Sequence, residues 1–353
     1  MTLVHLITGL GGGGAEHMVL ELSKTAQSRK TKTIVISITN SNTIESKFID
    51  NQIEYHFLGI NSLKNFKNGF ATLKHLIKDQ NEIVFHCHMF HSCMLGIIFK
   101  LFYKNIPIVF TMHTNSVKQL YRRLLLFFAK PFRKSDIIFS ENSKKWYLKN
   151  SIVIPNGVDF EKFKLSETRT YDKAQSFSFL FLGRLFEPKN PLFLVTLAKS
   201  LKESKIHKFT INIVGDGPMK NQLELAIKNA NVSDHFVFHG FNNNVIPFLH
   251  QSHCLILPSL WEGMPVTIIE SAASKLPIIT TPVGSIPDFL NESNAFVRNQ
   301  DNFHNAMIEV VNNYDTAIAK ANKLYSEMAS VFNIENIYTK HETIYNSVSS
   351  SKS

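Results

Sequence analysis

Cysteine, long apolar runs and a charged leader are what this chain has little of, and each shortage closes off a class of protein. Its 353 residues include three cysteines, Cys87, Cys93 and Cys254, an odd number in apolar settings, which suits reduced thiols and excludes a disulfide-stapled scaffold. No stretch approaches the roughly 20 apolar residues of a membrane-crossing helix. Met1-Thr2-Leu3-Val4-His5 lacks the basic start and long apolar core of a secretory signal, so the protein is expected in the cytoplasm. Internal repeats and low-complexity tracts are also missing, which sets aside solenoids and disordered chains.

What is present is an alternation of short apolar strands with helical segments. Strands are expected over 2–8, 33–38, 83–85, 107–111, 136–139 and 151–154, then over 177–182, 209–214, 235–238, 253–257 and 277–280. Such alternation predicts an α/β protein with parallel sheets covered on both faces, and the length suits two domains. Ile154-Pro155-Asn156-Gly157-Val158-Asp159 is a turn signal, and the polar stretch Lys164–Lys173 after it reads as an interdomain linker. The expected domains are therefore 1–160, joined by an amphipathic helix from Ile334 onward within 334–353, and 161–333.

Charge is unevenly spread. Residues 1–160 carry 20 Lys+Arg against 10 Asp+Glu and residues 161–353 carry 18 against 18, so the net charge of +10 lies wholly in the first half. Within it, residues 101–150 hold 10 basic and 2 acidic side chains, and 117–134 mixes cations with aromatic and aliphatic residues. An anionic membrane surface attracts such a stretch by about 1 kcal/mol per cation, and apolar side chains add interfacial anchoring. Ordinary solvated cationic helices have the same composition. No nucleic-acid motif accompanies the patch, and no nucleic-acid partner is expected.

Three strand ends carry chemistry. At the end of the buried run Cys254–Leu257, Glu262 lies in the following loop and Glu270 one to two turns into a helix for which Pro265 suits the first position. Gly263 and Met264 offer amides near that positive helix end. Two carboxylates so spaced accept hydrogen bonds from vicinal hydroxyls and would repel phosphates. At the end of Phe177–Leu182, Gly183-Arg184-Leu185-Phe186-Glu187-Pro188-Lys189 supplies a guanidinium fork and a point charge suited to a diphosphate, with Pro191 placed for the first turn of a helix. After Leu3–Ile7, the loop Gly9–Glu16 lets backbone amides approach an anion. Gly9, Gly11 and Gly14 also satisfy the dinucleotide pattern Gly-x-Gly-x-x-Gly. The second strand, however, runs into Thr39-Asn40-Ser41-Asn42 with no acid for a ribose, which argues against a nicotinamide enzyme.

Taken in order, these segments resemble the retaining glycosyltransferases of family 4, of the bacterial envelope-saccharide type and of GT-B fold. Glu262 through Glu270 looks like that family's Glu-x7-Glu motif, Arg184 with Lys189 resembles its diphosphate clamp, Gly-Gly-Gly-Ala-Glu its opening loop, and Pro155–Asp159 its domain junction. The resemblance implies two Rossmann-like domains facing across a cleft, the C-terminal helix crossing back to the first. It implies that Glu262, Gly263, Met264, Pro265 and Val266 hold the donor sugar, that Glu270 holds the nucleotide's ribose, and that Gly13, Gly14, Gly183, Arg184 and Lys189 meet the diphosphate. Gly215 and Gly217 would line the base pocket with residues near Gly240. Departure of the nucleotide diphosphate from the sugar's front face, stabilised by Arg184, Lys189 and the Gly11–Gly14 amides, would be electrostatic catalysis. No Asp-x-Asp occurs, so no metal and no cofactor is expected. The partners implied are a nucleotide-diphosphate sugar and a saccharide acceptor, the leading candidate being a lipid-linked or growing envelope saccharide at the inner face of the membrane.

The cluster His86-Cys87-His88-Met89-Phe90-His91-Ser92-Cys93 matches no common zinc spacing. By the resemblance it is an acceptor-side loop ahead of a helix starting near Ser92, with His88 and Glu16 on the acceptor side. Thr111-Met112-His113-Thr114 looks like the family's Thr-x-His, whose histidine lies near the donor sugar, which makes His113 a catalytic candidate. Two other classes fit the same residues. A GT-B nucleotide-sugar epimerase would use the clamp without an acceptor, and a catalytically silent subunit would only bind donor or membrane.

Overall fold

The computed structural model describes residues 1–103, 105–113, 117, 119–139, 144 and 150–350. The chain folds as two units, Met1–Gly157 with Ile334–Ser353, and Val158–Asn333.

The first unit is built on strands β1 (Thr2–Ile7), β2 (Lys32–Ser37), β3 (Glu54–Phe57), β4 (Ile83–His88), β5 (Ile108–Thr111), β6 (Ser135–Ile138) and β7 (Ile152–Val153), all parallel, in the order β3-β2-β1-β4-β5-β6-β7. Helices α1 (Gly14–Ser28), α2 (Glu45–Asp50), α3 (Phe66–Ile77), α4 (Met89–Phe102) and α5 (Leu120–Phe128) connect them. Strand β3 is outside the expected list because Glu54-Tyr55-His56-Phe57 reads as polar and sits half-buried at the sheet edge. Side chains alternate between two cores, as a strand's period of two requires. Val4, Leu6, Phe85, Cys87 and Phe110 pack beneath α3 and α4. Leu3, Val84 and Val109 face α1, where Met18, Leu22 and Ala26 meet them.

The second unit repeats the scheme with β8 (Phe177–Leu182), β9 (Phe209–Val214), β10 (Phe236–Gly240), β11 (Cys254–Leu257), β12 (Ile278–Thr280) and β13 (Phe296–Val297), in the parallel order β10-β9-β8-β11-β12-β13. Its helices are α6 (Phe160–Phe163), α7 (Phe193–Glu203), α8 (Lys220–Asn229), α9 (Ile246–Gln251), α10 (Val266–Ala273), α11 (Gln300–Asn312) and α12 (Tyr314–Phe332). The polar stretch read above as a linker is anchored in this unit. Arg169 donates to the carbonyls of Leu249, His250, Ser252 and Ser274 at 2.7–3.1 Å, satisfying exposed ends of α9 and α10.

After α12 the chain returns to the first unit as α13 (Ile334–Ser350), packed on α1. Ile337, Tyr338, Ile344, Tyr345 and Val348 complete the Leu3–Val84–Val109 core. Arg29, the residue that caps the end of α1, bridges Glu335 at 2.7 Å and Glu342 at 2.8 Å, with its guanidinium over the Tyr338 ring. No helix of the described residues is long and apolar enough to cross a membrane.

Candidate active site

In an open parallel sheet the loops at the carboxyl ends of the strands on either side of a switch in strand order gather at one place. In the second unit, β8 lies between β9 and β11, so the loops after these strands converge. Leu260 N–H donates to Pro188 O at 2.8 Å, tying the Glu262 loop to the Arg184–Lys189 loop. At that junction Lys189 Nζ lies 2.6 Å from Glu262 Oε1, and Ser259 Oγ donates to the same oxygen at 2.6 Å. Ser259 is held in turn by Thr281, whose hydroxyl donates to the Ser259 carbonyl at 2.6 Å. Glu262 is 5 % exposed, and a carboxylate there needs both partners.

Glycines make this crowding possible. A side-chain carbon on Gly215, at φ +146°, would stand 2.0 Å from the Gly183 carbonyl, and one on Gly284, at φ +63°, 1.9 Å from the Glu262 carbonyl. Gly217 likewise fits against the Leu185 carbonyl. Arg184 is exposed with its guanidinium over the Phe186 ring. Glu270 sits half-buried on α10, and Met264 and Pro265 are buried. Two local expectations change. Pro265 caps α10 in extended geometry instead of opening it, the helix starting at Val266. A 3-10 turn over Glu187–Lys189 follows the strand, and α7 begins only at Phe193, two residues beyond Pro191.

The first unit's glycine loop ends at Gly13, the residue before α1, with Gly14 opening the helix. Glu16 folds back over it, accepting the Gly13 and its own amide, and burial holds its carboxyl above the usual range despite those bonds. In this state, then, Glu16 occupies amides that the sequence reading assigned to an anion. The helix begun near Ser92 in that reading starts at Met89.

Strand register explains the histidines. His5 on β1 pairs with His86 on β4, and His88 two residues on shares their face. His5 Nδ1 and His88 Nε2 are 2.9 Å apart, and His88 Nδ1 and His113 Nε2 are 2.9 Å apart. His86 is braced at both nitrogens, to Tyr345 Oη and to Thr111 Oγ1, each at 2.7 Å. His341 Nδ1 donates to Ile337 O. Burial pushes all five imidazoles down, His5 and His113 to about 3, His341 to about 4 and His86 and His88 well below the usual value, with neighbouring imidazoles adding to the effect on all but His341, where Lys340 does so. His88, expected on the acceptor side, is itself buried with both ring nitrogens engaged, and of the five only His113 is a half-buried residue, its Nδ1 still covered. Ligand nitrogens of His5, His86 and His88 lie within 4.8 Å of one another. His5, His341, Tyr345 and Thr281 escaped the sequence reading because strand pairing and the return of α13 bring them in, and neither is written in local sequence, whereas Ser259 lies only three residues from Glu262 and its hydroxyl carries no signal of its own.

The basic stretch divides in two. Leu120, Tyr121, Leu124, Leu125, Phe127 and Phe128 on α5 are exposed, as are Leu101 and Phe102 on α4, and Lys100 of α4 donates to the Phe132 carbonyl. Arg133 is not part of this surface. It is buried, donating to Asp136 at 2.6 and 3.1 Å and to the Leu126 carbonyl at 3.0 Å, and so anchors the end of α5. Lys118 and Thr114 lie outside the described residues.

Solved structures supply the fold. The fold matches Anabaena HepE in complex with UDP-glucose at a TM-score of 0.84 and 16% identity, covering 99% of this chain and 100% of that one. It matches the lipopolysaccharide outer core galactosyltransferase WaaB at 0.70 and 15%, covering 98% and 99%. Two parallel sheets of this order with α13 on α1 are the GT-B architecture. A family profile described as Glycosyltransferase Family 4 matches residues 12–162, and one described as Glycosyl transferases group 1 matches 168–328. This chain belongs to the family 4 glycosyltransferases. It is 29% identical, over 84% of its length and 85% of the relative's, to the Escherichia coli UDP-Gal:alpha-D-GlcNAc-diphosphoundecaprenol alpha-1,3-galactosyltransferase. A Campylobacter jejuni alpha-1,4-N-acetyl-D-galactosaminyltransferase acting on a diphosphoundecaprenol-linked saccharide is 25% identical over 77% of this chain and 76% of that one.

Proposed function

We propose that this glycosyltransferase moves a hexose from a uridine diphosphate sugar, with retention, to a saccharide carried on a polyprenyl diphosphate, in envelope polysaccharide synthesis. The Lys189–Glu262 pair, held by Ser259 beside Arg184, carries the reading. It sets a cation for a diphosphate against a carboxylate for sugar hydroxyls, at the loop edge where such folds bind ligands. The relatives' lipid-linked acceptors and uridine nucleotides support the substrate classes. Glu270 is assigned to the ribose, His113 to the sugar, and the first unit to the acceptor. Arg184 and Lys189 suffice to offset the leaving charge, so the proposed chemistry uses no metal. The cationic, aromatic surface of α4 and α5 suits the cytoplasmic face of an anionic membrane, where such an acceptor resides.

The test is thermal stabilisation by nucleoside diphosphates, followed by transfer from UDP-hexoses to a diphosphoundecaprenol-linked sugar. Uridine diphosphate at 100 times its Kd is expected to add about 2.7 kcal/mol. Arg184→Ala should weaken binding roughly ten- to a hundredfold. Unchanged nucleotide binding in that variant removes the clamp, and a new sugar isomer released without any acceptor makes the protein an epimerase.

A further inference from the structure

His5, His88 and His113 form an unbranched chain in which each neutral ring has one N–H to give. Two bonds shared by three such rings allow only two arrangements. Either every ring carries its proton on Nδ1 and the chain donates from His5 toward His113, or every ring carries it on Nε2 and the chain donates the other way. The end nitrogens, His5 Nε2 and His113 Nδ1, are the two in the chain that are buried with no partner among the described residues.

These ends are unequal. His5 is 0% exposed, deep under the α1 and α13 core, whereas His113 is a half-buried residue just beyond the end of β5. An orphaned N–H in a dry core is rarer than an orphaned lone pair. The lone pair therefore belongs on His5 and the spare N–H on His113, which selects the all-Nδ1–H arrangement. Free imidazole prefers the opposite tautomer, so the chain imposes this one. His86, held by Tyr345 and Thr111, packs at 4.0 Å between centroids against His88 and keeps its plane fixed. The proximity of His5, His86 and His88 is accounted for in the same way, since five of their six ring nitrogens already have protein partners.

We infer that His88, accepting from His5, is a positioning residue that fixes His113 as the Nδ1–H tautomer, making it a hydrogen-bond donor to a substrate oxygen and not a base. This rests on the proposed contact of His113 with the sugar. Unpartnered and covered, the His113 N–H is a donor whose missing bond a ligand oxygen would supply.

Nitrogen-15 NMR of the full chain, labelled at histidine and free of substrate, reads each tautomer directly at pH 7.5. The expected spectrum has His88 and His113 protonated on Nδ1 alone. In His88→Leu, which removes the donor to His113 Nε2, His113 should revert to Nε2–H, and kcat should fall roughly tenfold at unchanged donor KM. His88→Asn, whose amide N–H replaces the lost donor, should restore both. Nε2–H or doubly protonated His113 in the unmodified protein overturns the inference, and so does a His113 tautomer indifferent to His88→Leu. A one-to-one shift of the His5 and His88 nitrogens on adding zinc would also overturn it, in favour of a metal site. Should His88→Leu fail to fold, the unmodified spectrum still decides. Correct tautomers in a protein that transfers no sugar would refute the proposed function and leave the chain standing.

Discussion

The two units share one strand order, with β3-β2-β1-β4-β5 matched by β10-β9-β8-β11-β12, yet they place polar chemistry in opposite ways. In the second, the candidate site groups stand on loops beyond the strands, as the Lys189–Glu262 ion pair does. In the first, His5, His86 and His88 are strand residues beneath α1 and α13, and burial keeps them neutral. A charged pair at a loop edge can exchange partners when an anion arrives, because water and ligand are at hand. A neutral network inside the sheet cannot, and is suited to holding a geometry.

The largest way to break that contrast is acid. The five imidazoles have folded pKa values below their ordinary 6.5, so the unfolded state takes up protons first. Their stabilising effect is complete above pH 6.5 and is lost as pH falls toward 3 to 4, at about 1.4 kcal/mol per imidazole per pH unit. Between pH 7 and 5.5 the first unit should lose several kcal/mol while the second changes little. Hydrogen exchange resolved by segment and corrected for intrinsic rate checks this, and equal loss of protection in β1 and β8 would erase the distinction.

Next comes Lys189→Met. Removing the cation leaves the buried Glu262 carboxylate without its counter-charge, at an expected cost of about 3 kcal/mol in urea unfolding. Adding Glu262→Gln should recover much of that stability and none of the turnover. Glu262→Gln alone, by freeing Lys189, should leave uridine diphosphate binding at least as tight while kcat falls. A double variant no more stable than Lys189→Met would mean the pair is not coupled.

The smallest effect concerns the membrane. Arg122→Gln with Lys134→Gln should weaken binding to anionic vesicles by about 1 kcal/mol per charge. Lys228→Gln with Lys323→Gln, in the charge-balanced second unit, should not. Equal losses from both pairs would reduce the patch on α4 and α5 to ordinary surface charge.

Much of this was legible in the chain. Buried parallel strands write themselves as apolar runs, so β8, β9 and β11 were read within a residue, and the Glu262 and Lys189 loops follow from punctuation by glycine and proline. Short edge strands such as β3 and β13 carry too few apolar residues to announce themselves. Arg133 looked like part of a basic surface because sequence shows charge and not burial, and its bond to Asp136 three residues away is a tertiary fact. The histidine chain joins β1, β4 and the end of β5, and its neighbours His341 and Tyr345 come from more than 200 residues further along. Only register and the return of α13 bring them together.

That return also orders the protein's birth. Every residue of Val158–Asn333 is synthesised before α13, while the core of the first unit needs Ile337, Tyr338, Ile344 and Tyr345 to close over Leu3, Val84 and Val109. Each such side chain contributes about 1.5–3 kcal/mol on burial, a total comparable to the whole stability of a domain. On the ribosome, then, the half made first is finished last. A chain interrupted anywhere in the second unit leaves the first with a bare apolar face and its imidazoles open to water, a nascent species for chaperones and proteases to find.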